Sequence, residues 1–223
     1  MESCDVLVVG GGPGGLGAAV GAKRNGAQKV IVVERDVIAG GILNQCIHDG
    51  FGLIRYGTAL SGPEYADRTV QEVLEIGAEL WTGCQVSHLT AERSVTVVGC
   101  EGMRHVRAGA VVLATGCRER TRGMISIPGT RPAGVFTAGV VQNLINIRDI
   151  MVGKRVVILG SGDVGLIMAR RLTLEGAQVL AVAEIRPQPE GLARNVSQCL
   201  NDFGIPLYVK HTVSEIIGGK RLE

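Results

Sequence analysis

The ten residues VVGGGPGGLG, Val8 to Gly17, return in altered form as ILGSGDVGLI, Ile158 to Ile167. One glycine loop of this kind arises easily by accident. Two at a fixed offset of 150 positions, each in the same surroundings, confine the chain to folds that repeat a βα unit. Before the first loop, DVLVV (5–9) is the continuous apolar run of a strand buried on both faces. After it, Leu16, Ala19 and Val20 mark one face of a helix. Lys23 and Arg24 suit the C-terminal end of that helix, and Gly26 supplies the left-handed residue that stops it. KVIVVE (29–34) is then a second strand that ends in an acid. In the second copy RVVIL (155–159) is the strand, and Gly160, Gly162 and Gly165 match Gly10, Gly12 and Gly15. Val164, Ile167 and Met168 give the following helix its apolar face, with Arg170 and Arg171 after them. Gly176-Ala177-Gln178 repeats Gly26-Ala27-Gln28, and Glu184 falls where Glu34 fell.

This pattern has a chemical reason. The first glycine permits the turn out of the strand. The second, lacking Cβ, lets a pyrophosphate approach the backbone, and the third lets the helix pack closely on the strand. The helix N-terminus offers unpaired N–H groups and a partial positive charge to phosphates. A carboxylate at the end of the second strand accepts hydrogen bonds from the ribose hydroxyls of an adenosine. The sequence therefore predicts two dinucleotide corners.

A further echo follows each corner. VLEIGAELWTGCQV runs through Gly77 to Val86, and CLNDFGIPLYVKHTV runs through Gly204 to Val213. The helix before the first is predicted to start with Pro63 at its N1 position and to bury Ala66, Val70 and Val73. The offset is now 127 instead of 150, so the first copy carries 23 more residues between its acid and its helix. These include AGGILNQCIHDGFGLIRYG (39–57), rich in glycine and nearly free of charge. A long loop without regular structure is usually functional, and this one is placed to enclose whatever the first dinucleotide carries beyond its pyrophosphate.

Composition agrees and excludes alternatives. A chain of 223 residues that is 46% hydrophobic, with 3% aromatic residues and 33 glycines, suits βα units with tight turns. The net charge is +2 with Lys and Arg scattered, which points to neither nucleic acid nor an anionic membrane. The N-terminus lacks the basic region of a secretory signal. The most apolar tracts, 108–117 and 132–147, are interrupted by Gly, Pro or Asn, and none approaches the ~20 residues of a membrane span. The six cysteines form no CxxC pair and the four histidines complete no zinc spacing. Free thiols in a reducing cytoplasm and no metal are the expectation.

The chain resembles the two-dinucleotide-binding-domain flavoproteins, the superfamily of glutathione reductase and thioredoxin reductase. The resemblance is carried by VVGGGPGG, VVER, the Gly-Gly at 40–41, VVLATG (111–116), IPGT (127–130), GVFTAG (134–139) and ILGSGDVG. GGILNQCIHDGFG and CRERTRGMISIPGTRPAGVFTAG resemble a narrower group: FAD subunits of amino-acid and opine dehydrogenases, hydrogen cyanide synthase, and flavoproteins associated with glycerol-3-phosphate dehydrogenases. The resemblance implies an α/β Rossmann-like FAD/NAD(P)-binding fold, a parallel sheet with a β-meander, in two similar domains. By it, Gly10, Gly12, Pro13, Gly14 and Gly15 would meet the FAD pyrophosphate, and Glu34 with Arg35 the adenosine ribose. Gly41 to Gln45 would approach the flavin ring, the backbone near Val86 the adenine, and Ala114-Thr115-Gly116 would close the site. Gly160, Gly162, Asp163 and Val164 would hold the NAD(P) pyrophosphate. Glu184 would favour a free 2′-hydroxyl, hence NAD over NADP, although Arg186 lies two residues on.

The sequence departs from its superfamily in two respects. The redox cysteines of a GGxCxxxxC motif would fall at Leu43 and His48, and the CxxC of the thioredoxin reductase variant is absent, so disulfide reduction is not expected. Cys46 reads either as a single redox thiol near the flavin or as a packing cysteine. His48 reads either as an acid/base group or as a backbone hydrogen-bond partner. Arg118, Arg120 and Arg122 either steer a carboxylate or a partner, or belong to a solvated connection, and Tyr56 lies near the ring or on the surface. Length is the second departure. Twenty-nine residues separate Val86 from Thr115, but ten remain after Val213, and the Gly-Asp return segment of the family is missing. The expected organisation is an FAD-binding domain over 1–150 lacking its return segment and a truncated NAD(P)-binding domain over 151–223. The expected function is hydride exchange between NAD(H) and FAD, coupled to an amine, amino-acid or hydroxy-acid dehydrogenase partner or another electron acceptor. A non-catalytic nucleotide-binding module and a single-cysteine flavin enzyme are the rival readings.

Overall fold

The computed structural model describes residues 2–223, which separate into two compact units that meet in sequence at Cys117 and Arg118. In the first, β1 (Glu2–Val9) leads into α1 (Pro13–Arg24) and β2 (Val30–Val33). A 3-10 turn (Gly41–Gln45), the short α2 (Leu53–Tyr56) and α3 (Gly62–Glu75) follow. β3 (Glu79–Trp81), β4 (Gln85–Leu89), β5 (Ser94–Gly99) and β6 (Gly102–Leu113) complete the unit. The strands form one sheet in the order β3-β2-β1-β6-β5-β4. β1 is parallel to β2 and β6, while β4, β5 and β6 form an antiparallel meander. This is the parallel sheet with a meander that the sequence predicted.

The apolar runs are continuous because both faces of the sheet are covered. Val8, Val30 and Val32 pack with Leu16, Ala19 and Val73 of the helices. Leu7, Ile31 and Val33 point the other way and pack with Val95, Val97 and Val106 of the meander. Leu16, Ala19, Val20, Ala66 and Val73 are buried as their spacing predicted. Gly26 has φ +96° just beyond the end of α1. α3 opens on a capping box: the Ser61 hydroxyl accepts from the Glu64 amide, and the Glu64 carboxylate accepts from the Ser61 amide at 2.7 Å. Gly62 is its first residue, so Pro63 stands one place further in than predicted. The segment 39–57 is not structureless; its 3-10 turn buries Leu43 and Gln45, and Phe51 bridges to Leu60. Helices of four or five residues are too short to leave a periodic signal.

In the second unit α4 (Ala138–Asn146) precedes β7 (Arg155–Leu159), α5 (Asp163–Leu174), β8 (Gln178–Glu184), α6 (Ala193–Cys199) and β9 (Leu207–Val209). The strands run parallel in the order β7-β8-β9. α4 sends Val141 and Ile145 into one core with Leu166, Ala169, Leu172 and Val182. Residues 118–150 therefore belong with the second unit, and the boundary expected at 150/151 falls inside it. The helix after GVFTAG has an apolar face to bury, and α5 receives it. The other side of this sheet is bare: Val157 is 54% exposed, whereas Leu7, its counterpart in the first copy, is completely buried under the meander. Among the described residues no helix is long and apolar enough to cross a membrane.

Candidate functional site

The first corner lies where β1 gives way to α1. Gly10 donates to the Val33 carbonyl at 2.8 Å with φ +106°, and a Cβ there would stand 2.3 Å from the Ala114 carbonyl oxygen. A Cβ on Gly15 would stand 1.8 Å from the Gly10 oxygen, so the fold itself forbids side chains at these two positions. Gly12 and Gly14 differ. A Cβ at Gly12 would find only the Gly41 Cα, at 4.0 Å, and one at Gly14 would meet nothing. The protein leaves room there that it does not fill. No side chain caps α1, whose first turn follows directly, so its N-terminal dipole is offered to that space. A diphosphate fits such a cradle.

Glu34 ends β2 and is buried. Its Oε2 accepts from the Gly11 amide at 2.7 Å and its Oε1 from the Asp36 amide at 2.8 Å. A carboxylate has about four acceptor positions, so each oxygen keeps one for a hydroxyl. Ala114 and Thr115 lie against Gly10, and Gly116 follows with φ +75°. Gly41, with φ +57°, faces Gly12, and Gln45 is buried at the end of the 3-10 turn. Arg35 is exposed, its guanidinium 4.0 Å from Asp36. Val86 turns its side chain into the meander core; Gly83 and Cys84 instead hold the acid's strand, donating to Asp36 and Glu34 carbonyls at 2.9 Å. Sequence comparison of the copies missed these two because Lys210 and His211 stand in their places.

The other candidates contact their own surroundings. The Cys46 thiol donates to the Ile42 carbonyl at 3.2 Å, and the Cys46 carbonyl accepts from Gly62. His48 stacks obliquely on Phe51 with centroids 5.1 Å apart, and its Nδ1 lies 3.1 Å from the Asp49 carbonyl. The Tyr56 hydroxyl bonds the Thr69 hydroxyl at 3.0 Å, between the Arg55 and Arg68 guanidiniums. Arg122 donates to the Ile127, Gly129 and Thr130 carbonyls, which occupies it structurally.

The second corner repeats the backbone of the first. Gly160 has φ +100° and donates to the Ala183 carbonyl at 2.7 Å, and a Cβ on Gly165 would stand 2.8 Å from the Gly160 oxygen. A Cβ on Gly162 would meet nothing. Glu184 accepts from the Ser161 and Arg186 amides, both at 2.9 Å. Burial raises the Glu184 pKa, but the Ser161 hydroxyl, the two amides and the Arg186 charge together outweigh it and hold the carboxyl below its ordinary range.

Two side chains distinguish this corner. The Asp163 Oδ1 accepts from the Leu192 amide at 2.8 Å and the Asn195 side chain at 2.7 Å, so its carboxylate is turned toward 192–195 and only its backbone faces the glycine loop. Val164 is 46% exposed rather than part of the buried face, which is formed by Leu166, Met168, Ala169 and Leu172. Both rows of α5 are apolar, and the spacing alone favoured the wrong one.

A family model described as pyridine nucleotide-disulphide oxidoreductase matches residues 4–223. The chain belongs to this family. Members bind FAD and pyridine nucleotides, and the family's chemistry is oxidoreduction. An opine oxidase component from Agrobacterium tumefaciens (strain Ach5) is 30% identical over 198 residues, covering 83% of this chain and 37% of that protein. The alpha chain of sarcosine oxidase from Rhizobium meliloti (strain 1021) is 29% identical over 200 residues, covering 82% of the chain and 19% of that protein. The chain thus spans well under half of these curated relatives. A thioredoxin reductase from Lactococcus lactis shares the fold with a TM-score of 0.69 at 18% identity, over 98% of this chain and 69% of that one. The thiol pair implied by the family's name has no counterpart at Leu43 and His48.

Proposed function

We propose that the chain is a flavin-dependent oxidoreductase subunit, with FAD held by the first unit and a nicotinamide dinucleotide by the second. The observation that carries this reading is the pair of glycines, Gly12 and Gly162, whose absent side chains the protein does not need for its own packing, each beside a buried acid. Bound FAD supplies hydride acceptance and donation. The chain's residues bind and orient. Gly12, Gly14 and the first turn of α1 receive the diphosphate, and Glu34 accepts the ribose hydroxyls. Ala114, Thr115 and Gly116 bound the corner from β6. Hydride exchange between the two dinucleotides needs no side chain as proton donor or nucleophile, which agrees with the self-contained contacts of Cys46 and His48.

We assign the second corner to NAD rather than NADP, because a 2′-phosphate would meet the ionised Glu184. The names of the curated relatives support a place within a multi-subunit oxidase or dehydrogenase acting on an amine, amino acid or hydroxy acid. The exposed thiols of Cys100 and Cys117 fit a reducing cytoplasm. A second reading, a module that binds nucleotide but acts by assembly, is favoured by the bare apolar face at Val157 and Tyr208. Anaerobic spectroscopy separates the two. The enzyme reading predicts a yellow protein, as purified or after adding FAD, whose absorption near ~450 nm is bleached by NADH through the flavin's own chemistry. A colourless protein that takes up no FAD would support the module.

A further inference from the structure

The two corners share one backbone but not one set of acceptors. At position 11 of the first copy a Cβ would stand 2.9 Å from the Glu34 Cβ, and glycine leaves the acid with two hydrogen bonds, one per oxygen. The same place in the second copy is Ser161, completely buried. Its hydroxyl donates to Glu184 Oε2 at 2.6 Å, alongside its own amide at 2.9 Å. The hydroxyl oxygen in turn accepts from the Glu190 amide at 3.0 Å, so it is fixed at both ends. Oε2 thereby has both acceptor positions taken, and Oε1 has one taken by the Arg186 amide.

We propose that Ser161 is a positioning residue that sets the grip of the second corner: it leaves Glu184 able to accept one hydroxyl of an adenosine ribose, where Glu34 accepts two. The inference rests on the assignment of a nicotinamide dinucleotide to this corner and adds what that assignment does not contain. The first copy is built to retain its ligand. The second, one charge-assisted hydrogen bond short, is built to release it, as a co-substrate that leaves each turnover must be.

The test is calorimetric titration of the full-length, FAD-saturated protein with NADH and with its analogues lacking the 2′- or the 3′-hydroxyl of the adenosine ribose. In the unaltered protein one analogue should bind about tenfold more weakly than NADH and the other about equally, because only one hydroxyl is held by the carboxylate. Ser161→Ala should bind NADH about tenfold more tightly and should lose affinity for both analogues relative to it. A merely structural serine would move neither ratio. Equal losses for both analogues in the unaltered protein would overturn the proposal, and that arm stands whether or not the variant folds. So would a Ser161→Ala protein that discriminates between the analogues as the unaltered one does. A complete lack of NADH binding would instead remove the assignment of the corner, and the proposal with it.

Discussion

Lys210 adopts φ +57°, and its counterpart in the first copy is Gly83 with φ +63°. Each donates its amide to a carbonyl beside the acid, Asp36 or Arg186, so the backbone there serves the corner and the lysine bears left-handed strain for it. Lys210→Gly should raise the unfolding free energy by about 1 kcal/mol, read by urea denaturation. Glu184 carries a pH dependence of known sign. Its folded pKa is depressed, so its stabilisation is complete above the ordinary glutamate range and is lost as pH falls through the folded value. Glu184→Gln should cost about 1–3 kcal/mol at neutral pH, and the gap to the unaltered protein should close in acid. Thermal melts of both proteins between neutral and acid pH check this. The glycines were legible in the sequence because a missing Cβ is itself the message. Ser161 and Lys210 were not, because each replaces a glycine of the other copy and only the folded chain shows what its atoms touch.

At the scale of elements, the repeat fixes what each strand must bury, and the copies diverge in what covers them. Leu7→Ala should cost about 2–5 kcal/mol, because the meander closes over it and leaves a cavity. Val157→Ala, at the same place in the second copy, should cost under about 1 kcal/mol, because that face is already in water. Comparing the two by denaturation tests the asymmetry directly. β1, α1, β2 and α3 were readable from periodicity and caps, since each is long enough to repeat its pattern. The 3-10 turn and α2 were not. Nor was the allegiance of α4, whose Val141 and Ile145 are apolar on any reading and reveal their partner only in three dimensions. Gly129 of IPGT was visible as a motif, but its reason was not: a Cβ there would stand 2.0 Å from the carbonyl oxygen of Ile216, with which its segment pairs.

For the whole molecule, one supersecondary unit written twice yields two corners with the same backbone and different side chains. The first has its glycine at 11, a meander over its sheet and a 3-10 turn facing Gly12; the second has Ser161, a bare sheet face and a turned-away Asp163. The fold and both corners were legible because binding a diphosphate is done by backbone, and backbone demands are written in glycines. The substrate side was not legible, because no cysteine pair or other catalytic set marks it in the sequence. The account depends on Gly12 being empty for the sake of a ligand. Its most direct test is the flavin content of Gly12→Val after reconstitution with FAD, with circular dichroism to verify the fold. The account predicts native spectra, since the side chain meets no protein atom closer than the Gly41 Cα at 4.0 Å, and no retained flavin. A folded Gly12→Val protein that keeps one FAD per chain would contradict it.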